Sequence, residues 1–292
     1  MSGIPPSGYR LPDATHLGPV RLQVRNVSRS IEYYQRVIGL RQVTPPDRTG
    51  AAALAAEGEE EPLVWLHERA DARPVPPGGR LGLYHFAILV PDRAALGRFV
   101  RHLGGLGEYA GSADHAVSES VYLSDPDGLG IEVYADRPRS TWTHQGQELH
   151  MTTEPLDIRG VLAAGAERPW TGMPSGTVMG HVHLNVGDLS VAAAFYHQGL
   201  GLDKVVWSYP GALFMSAGGY HHHLGTNTWS SGPPATVEDA RLLSWTVRLP
   251  SSADVAAAGR SLESTGYAVE HEDGAVLAAD PWGTVVRIGT EG

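Results

Sequence analysis

The sequence predicts an α+β protein built from four βαβββ units, and two observations carry that expectation. The first is a repeat at constant offset. Val20-Arg21-Leu22-Gln23-Val24, followed by Val27-Ser28, Tyr33-Tyr34 and Gly39-Leu40, returns as Val182-His183-Leu184-Asn185-Val186, Leu189-Ser190, Phe195-Tyr196 and Gly201-Leu202, always 162 residues later. The second is a different unit that also recurs. Leu83-Tyr84-His85 through Val90-Pro91 matches Leu242-Leu243-Ser244 through Leu249-Pro250, and Asp125-Pro126-Asp127-Gly128 matches Asp280-Pro281-Trp282-Gly283.

Each long repeat reads as an alternating strand, then a helix capped by Ser28 or Ser190 with its aromatic pair buried, then a Gly stop. The units span 16–68, 81–136, 179–229 and 241–290, so 16–136 and 179–290 each hold two. Between them, 137–178 reads as a connector broken by Pro138, Pro155, Pro169 and Pro174. It carries one helical piece near Asp157 to Ala166, capped by Asp157. Gly50 to Glu61 and Ser230 to Asp239 read as loops or irregular hairpin tips.

Composition narrows the chemistry. Lys and Arg total 22 against 32 Asp and Glu, a net charge of -10 at pH 7. That balance, with no basic patch, argues against nucleic acid or an anionic membrane as the main partner. Without cysteine, thiolate chemistry is absent and a metal must rest on His, Asp or Glu. No apolar run approaches about 18 residues, and Met1 to Pro19 lacks the basic start and apolar core of a signal peptide. The expectation is a soluble cytoplasmic protein. Its 14 histidines are many for such a chain.

One run concentrates the chemistry: His115-Ala-Val-Ser-Glu-Ser-Val-Tyr122-Leu-Ser-Asp125-Pro126-Asp127-Gly128-Leu-Gly-Ile-Glu132. If Val117 to Ser124 and Gly130 to Tyr134 are strands joined by the Asp-Pro-Asp-Gly turn, Tyr122 and Glu132 reach the same concave face. A carboxylate can hold a metal, while a phenol and an imidazole can manage the protons of a phenolic substrate. The spacing resembles the signature of extradiol ring-cleaving dioxygenases, in the vicinal-oxygen-chelate superfamily, departing from it only at Ala113. The four-unit plan resembles that superfamily's fold as well, in which two units pair into a half-barrel that cups a metal.

The resemblance implies where ligands belong: one on the first strand of a unit, one at the start of its last strand. Overlaying the units places Pro19, His85, His181 and Ser244 at the first position. Glu132, His223 and Arg287 fall at the last, and His67 is nearest in unit one. Metal donors therefore segregate into units two and three, which are expected to pair, leaving one with four. The implied ligand set is His85, His181 and Glu132, two imidazoles and a carboxylate suited to Fe(II), with Mn(II) also accommodated. His183 shares a face with His181, and the overlay favours His181 as ligand. Within the triplet His221-His222-His223, strand alternation and the overlay select His223 as acid–base residue or fourth ligand. His115 and Tyr122 are expected to hold the substrate.

The implied activity is extradiol cleavage of catechol or a substituted catechol by Fe(II) and O2, of the catechol 2,3-dioxygenase type. A small aromatic diol and O2 are then the partners, and exposed sheet edges make a homo-oligomer the expectation. Two alternatives stand beside it. Four ligands, including His223, would suit a glyoxalase-like lyase or isomerase using nickel or zinc, chemistry that does not require His115 and Tyr122. A metal-free binding protein would need only an aromatic cleft. Trp142, Trp170, Tyr209 and Trp229 are candidates for lining the pocket.

Overall fold

A computed structural model describes residues 3–44 and 50–290. Unit one comprises β1 (His16–Val24), α1 (Val27–Tyr33), β2 (Arg41–Thr44), β3 (Ala51–Ala55) and β4 (Val64–Glu68). Unit two follows with β5 (Gly82–Leu89), α2 (Arg93–Leu106), β6 (Gly111–Asp114), β7 (Ser118–Ser124) and β8 (Gly130–Asp136). The connector holds a small hairpin, β9 (His144–Gln145) with β10 (Glu148–Leu149), and α3 (Ile158–Ala164). Unit three is β11 (Val178–Asn185), α4 (Leu189–Ala192), β12 (Asp203–Val206), β13 (Ala212–Ser216) and β14 (Leu224–Asn227). Unit four is β15 (Arg241–Leu249), α5 (Ser252–Ser264), β16 (Glu270–Glu272), β17 (Ala275–Ala279) and β18 (Val285–Thr290).

Two eight-stranded mixed sheets result. One runs β12-β13-β14-β11-β5-β8-β7-β6 and joins units two and three; the other runs β16-β17-β18-β15-β1-β4-β3-β2 and joins four and one. In the first, β5 and β11 lie antiparallel with His85 opposite His183, while β8 runs parallel to β5. This inner sheet therefore gathers His85, Glu132 and His181, and the outer sheet gathers Pro19, His67, Ser244 and Arg287.

Units one and two thus sit in different sheets, as do units three and four, and a repeated pair of side chains ties each such pair together. The Tyr34 hydroxyl donates to Asp125 of the next unit at 3.4 Å, and the Tyr196 hydroxyl donates to Asp280 at 2.8 Å. Both tyrosines belong to the long repeat and both aspartates to the recurring turn. Burial pushes the Asp125 carboxyl up to about 7 against the backbone amides that hold it down. Around these links runs an apolar core shared by both sheets, with Trp245, Tyr34, Tyr134, Tyr196 and Phe86 wholly buried. Each large apolar side chain so buried contributes about 1.5–3 kcal/mol.

Two local expectations are corrected. The helices are capped by Asn26 and Asp188, whose side chains accept from Arg29 N and from Ser190 N and Val191 N, not by Ser28 and Ser190 two residues on. The chain leaves extended geometry at the earlier residue in both copies. Within Gly50 to Glu61, Ala51–Ala55 is a strand rather than loop, buried along its whole length. Its run of alanines has neither alternation nor β-branching, so tertiary burial rather than local preference decides it. The expected helix in the connector is α3, capped by Asp157 through Gly160 N.

Candidate metal centre

The Asp-Pro-Asp-Gly turn sets the geometry of the site. Asp125 Oδ1 accepts from Asp127 N at 2.8 Å and Leu129 N at 2.9 Å, and Gly128 takes a φ of 83° that favours glycine. The hairpin of β7 and β8 closes in the register that puts Tyr122 directly opposite Glu132. Glu132 is buried and accepts from Ser120 Oγ at 2.6 Å. Its other oxygen lies 3.0 Å from Nε2 of His181 and 2.9 Å from Nε2 of His85.

Two imidazole nitrogens thus converge on one carboxylate oxygen. Only His181 is hydrogen-bonded to it; His85 Nε2 has the distance but not the alignment, and is left buried without a partner. Such an orphan is costly unless something else fills its lone pair. The three donor atoms lie within 4.8 Å of one another, the only such group of three or more among the described residues. Ligands about 2.1 Å from one ion and at right angles stand about 3.0 Å apart, which matches the two distances to Glu132. The residues fit a divalent cation, and His85, His181 and Glu132 form a buried metal site.

Electrostatics keep His181 and Glu132 in ligand form. Burial pushes the His181 imidazole down to about 4, with Glu132 opposing, so the ring is neutral at neutral pH. Burial alone would raise the Glu132 carboxyl, but the adjoining His181 and His85 rings hold it well below the usual range. Neutral imidazoles and an ionised carboxylate are what a metal requires.

The site floors a cavity of about 300 Å³. His115 and Tyr122 both line it, with the Tyr122 hydroxyl 2.5 Å from His115 Nε2. His115 Nδ1 donates to the Thr152 carbonyl at 2.7 Å, which fixes the tautomer and leaves Nε2 as the acceptor for the phenol. Burial, then Glu132, raises the Tyr122 phenol well above 10, so it stays protonated. The connector is thereby part of the wall: Met151, Thr152 and Thr153 close one side. Tyr84, Phe214, Tyr209 and Trp229 line the cavity too, with the Tyr209 hydroxyl 2.8 Å from Thr153 Oγ1. Of the expected lining residues, Tyr209 and Trp229 are present. Trp142 packs on Tyr220 and His221, and Trp170 on Phe99 and His102.

His223 is not where the overlay put it. Residues 221–223 form a bend before β14 begins at Leu224, so strand alternation does not apply to them. His222 lines the cavity, with its ring centroid 4.0 Å from that of His181. His223 turns away and accepts from Ala217 N through Nδ1 at 3.2 Å. The pairing also gives the true equivalent of Glu132 in unit three. Phe86 faces Ile131, and Val182 faces Leu224, so the position after Leu224, Gly225, corresponds to Glu132. The same count makes Trp65, rather than His67, the residue of unit one.

Gly225 offers no donor, and its bare Cα makes room for an imidazole: a Cβ there would lie 2.9 Å from the His183 ring. His183 fills that space, lines the cavity and keeps a buried Nε2 without a partner. The sequence signal for His183 was the strand face it shares with His181, and for His222 only its place in the histidine triplet. Tyr84 and Phe214 had none, because an aromatic on a strand is ordinarily core.

Comparison with known proteins agrees with this arrangement. The family model for the Glyoxalase/Bleomycin resistance protein/Dioxygenase superfamily matches residues 16–133 and 178–288. Catechol-2,3-dioxygenase of Bacillus subtilis (strain 168) is 43% identical over 272 residues, covering 91% of this chain and 94% of that protein. A lactoylglutathione lyase of Neisseria meningitidis is 30% identical over 122 residues, 38% of this chain and 83% of its own length. Among solved structures, glyoxalase I of Zea mays superposes with a TM-score of 0.57 at 16% identity, covering 95% of this chain and 92% of that one, which bears on the fold alone. The matched segments hold all four units and the three metal-site residues: the chain belongs to the Glyoxalase/Bleomycin resistance protein/Dioxygenase superfamily.

Proposed function

We propose that this protein is an extradiol dioxygenase that opens catechol or a substituted catechol beside its two hydroxyls, using Fe(II) and O2, with Mn(II) as the other metal its ligands suit. The observation that carries the reading is a three-ligand site beside a Tyr122–His115 pair. Because unit three has Gly225 where unit two has Glu132, no fourth ligand comes from the equivalent position, and substrate and dioxygen have room to bind together. A four-ligand lyase site would need a donor there. The near full-length likeness to the Bacillus subtilis catechol-2,3-dioxygenase supports the same substrate class.

A bound Fe(II) supplies Lewis acidity toward the diol and the electrons that engage dioxygen. The protein's residues do the rest. Phe214, Trp229 and Tyr84 enclose an aromatic ring and exclude water. Tyr122 donates its proton to His115 Nε2, so its oxygen is oriented to accept from a substrate hydroxyl. His222, which replaces His223 as the acid–base residue in this reading, is held neutral by burial and by the neighbouring histidines. It meets the substrate with a free lone pair, able to take a hydroxyl proton and return it.

Oxygen uptake by protein loaded anaerobically with Fe(II), then given catechol, tests the proposal. Consumption of O2 with a yellow ring-fission product is the expected outcome. Stoichiometric metal without uptake on catechol, methylcatechol or a bicyclic diol refutes it.

A further inference from the structure

The other two members of the histidine triplet face away from the cavity, and one of them is wired to it. His221 is wholly buried, with Nε2 2.9 Å from Asp136 Oδ1 and Nδ1 2.7 Å from Nδ1 of His222. Asp136 ends β8, four residues beyond Glu132, and its side chain is 26% exposed. The same oxygen also receives the Tyr220 hydroxyl at 3.3 Å, and Tyr220 is held in turn by Tyr134 at 2.7 Å. A continuous line of hydrogen bonds therefore runs from a partly exposed carboxylate to an imidazole on the cavity wall.

Hydrogen-bond polarity along that line has one solution when both rings are neutral. An ionised carboxylate only accepts, so His221 carries its hydrogen on Nε2. A neutral imidazole has a single N–H, which leaves His221 Nδ1 as an acceptor. The nitrogen facing it, His222 Nδ1, must then be the donor. His222 Nε2 is left without a hydrogen, its lone pair available to the cavity. Elsewhere on the cavity wall the Thr152 carbonyl imposes the same tautomer on His115. Two different devices, one backbone and one carboxylate-driven, present the same kind of nitrogen to the cavity.

We infer that Asp136 and His221 are positioning residues that fix the ring and tautomer of His222 so that its Nε2 lone pair faces the cavity. Neither touches substrate; both act through His222. The catalytic consequence rests on the proposed role of His222 as acid–base residue, but the tautomer itself does not. A buried ring stripped of this partner would be free to place its hydrogen on either nitrogen, and the fraction carrying it on Nε2 could not accept a proton there.

Nitrogen chemical shifts of the histidine rings, from long-range proton–nitrogen spectra of metal-free protein with ¹⁵N-labelled imidazoles, test this directly. The spectra are recorded where the rings are neutral, and His222 is identified by its loss in His222→Asn. Wild type should show His222 protonated at Nδ1 and bare at Nε2. In Asp136→Ala the two shifts should converge as the tautomers mix. Metal-loaded Asp136→Ala should lose about 10- to 100-fold in kcat, by analogy with the outer-shell partners of metal-ligating histidines, with KM little changed. A hydrogen on Nε2 in wild type overturns the inference, and that measurement stands even if the variant fails to fold. So does a folded Asp136→Ala with an unchanged His222 spectrum. If catechol uptake fails while the tautomer still follows Asp136, the dioxygenase reading falls and the positioning stands.

Discussion

Replacing Glu132 by glutamine removes one negative charge from the metal site while keeping the side chain's volume and an oxygen for the Ser120 hydroxyl. Glu132 is 2% exposed, and His181 and His85 hold its carboxyl well below the usual range against burial, so in the metal-free protein the loss of charge should cost some stability. Metal binding is the property it should remove. At a concentration 100 times Kd, a ligand that binds only the folded state stabilises it by about 2.7 kcal/mol. For a chain of this size about 1 kcal/mol moves Tm by roughly 2–4 °C, so Fe(II) or Mn(II) should raise wild-type Tm by about 5–10 °C. Losing even an outer-shell partner of a ligand costs about 10- to 100-fold in affinity, and losing the ligand itself exceeds that. At the same metal concentration Glu132→Gln is then at most half occupied, which leaves less than about 0.4 kcal/mol, or a degree in Tm. Thermal melts under anaerobic conditions, with and without metal, measure both halves. A variant that keeps the full metal-induced shift would refute Glu132 as a ligand.

Three further outcomes follow from the same geometry. His222→Asn should lower turnover by about 10²- to 10⁴-fold, whereas His223→Asn, whose ring only accepts the Ala217 amide, should leave turnover near wild type; equal losses in both would return His223 to the site. Gly225→Ala pushes a methyl against the His183 ring and should cost about 1–3 kcal/mol by overpacking, read as a lower Tm with metal binding retained; an unchanged Tm would mean His183 shifts freely. Acid should destabilise the metal-free protein over the range from the ordinary histidine pKa down to the carboxylate range. Burial depresses His181 to about 4 and His223 to about 3, and lowers His183 and His222 as well, so the unfolded state binds more protons and stability falls as pH falls. Asp125, raised to about 7, and Asp280, also raised, act in the opposite direction. With His197 also lowered, five depressed histidines outnumber the two raised aspartates, and denaturant melts between pH 6.5 and 4.5 that show stability rising on acidification would contradict the expected loss.

Much of the centre is legible in the sequence. A turn motif acts locally: Asp125-Pro126-Asp127-Gly128 fixes the hairpin, and two-residue alternation then puts Tyr122 and Glu132 on one face. The constant offset between repeats likewise made four units visible, and the uneven spread of His and Glu among them indicated which pair holds the metal. The misplacement of His223 shows where such reasoning ends. Alternation is a property of strands, and the triplet lies in a bend just before one, so only the packed chain shows which ring turns inward.

What the sequence by itself determined is therefore the local chemistry: four units, a duplicated plan, and the donors His85, His181 and Glu132. Their types and spacings are set by short-range geometry that each segment carries with it. Only the tertiary structure decided that Gly225 stands at Glu132's position in unit three, that His183 fills the space this opens, and that Thr152 and Asp136 orient the rings of His115 and His222. Those contacts join residues far apart in the chain, some across strands from two units, and their partners are chosen by register and packing once the sheet has closed.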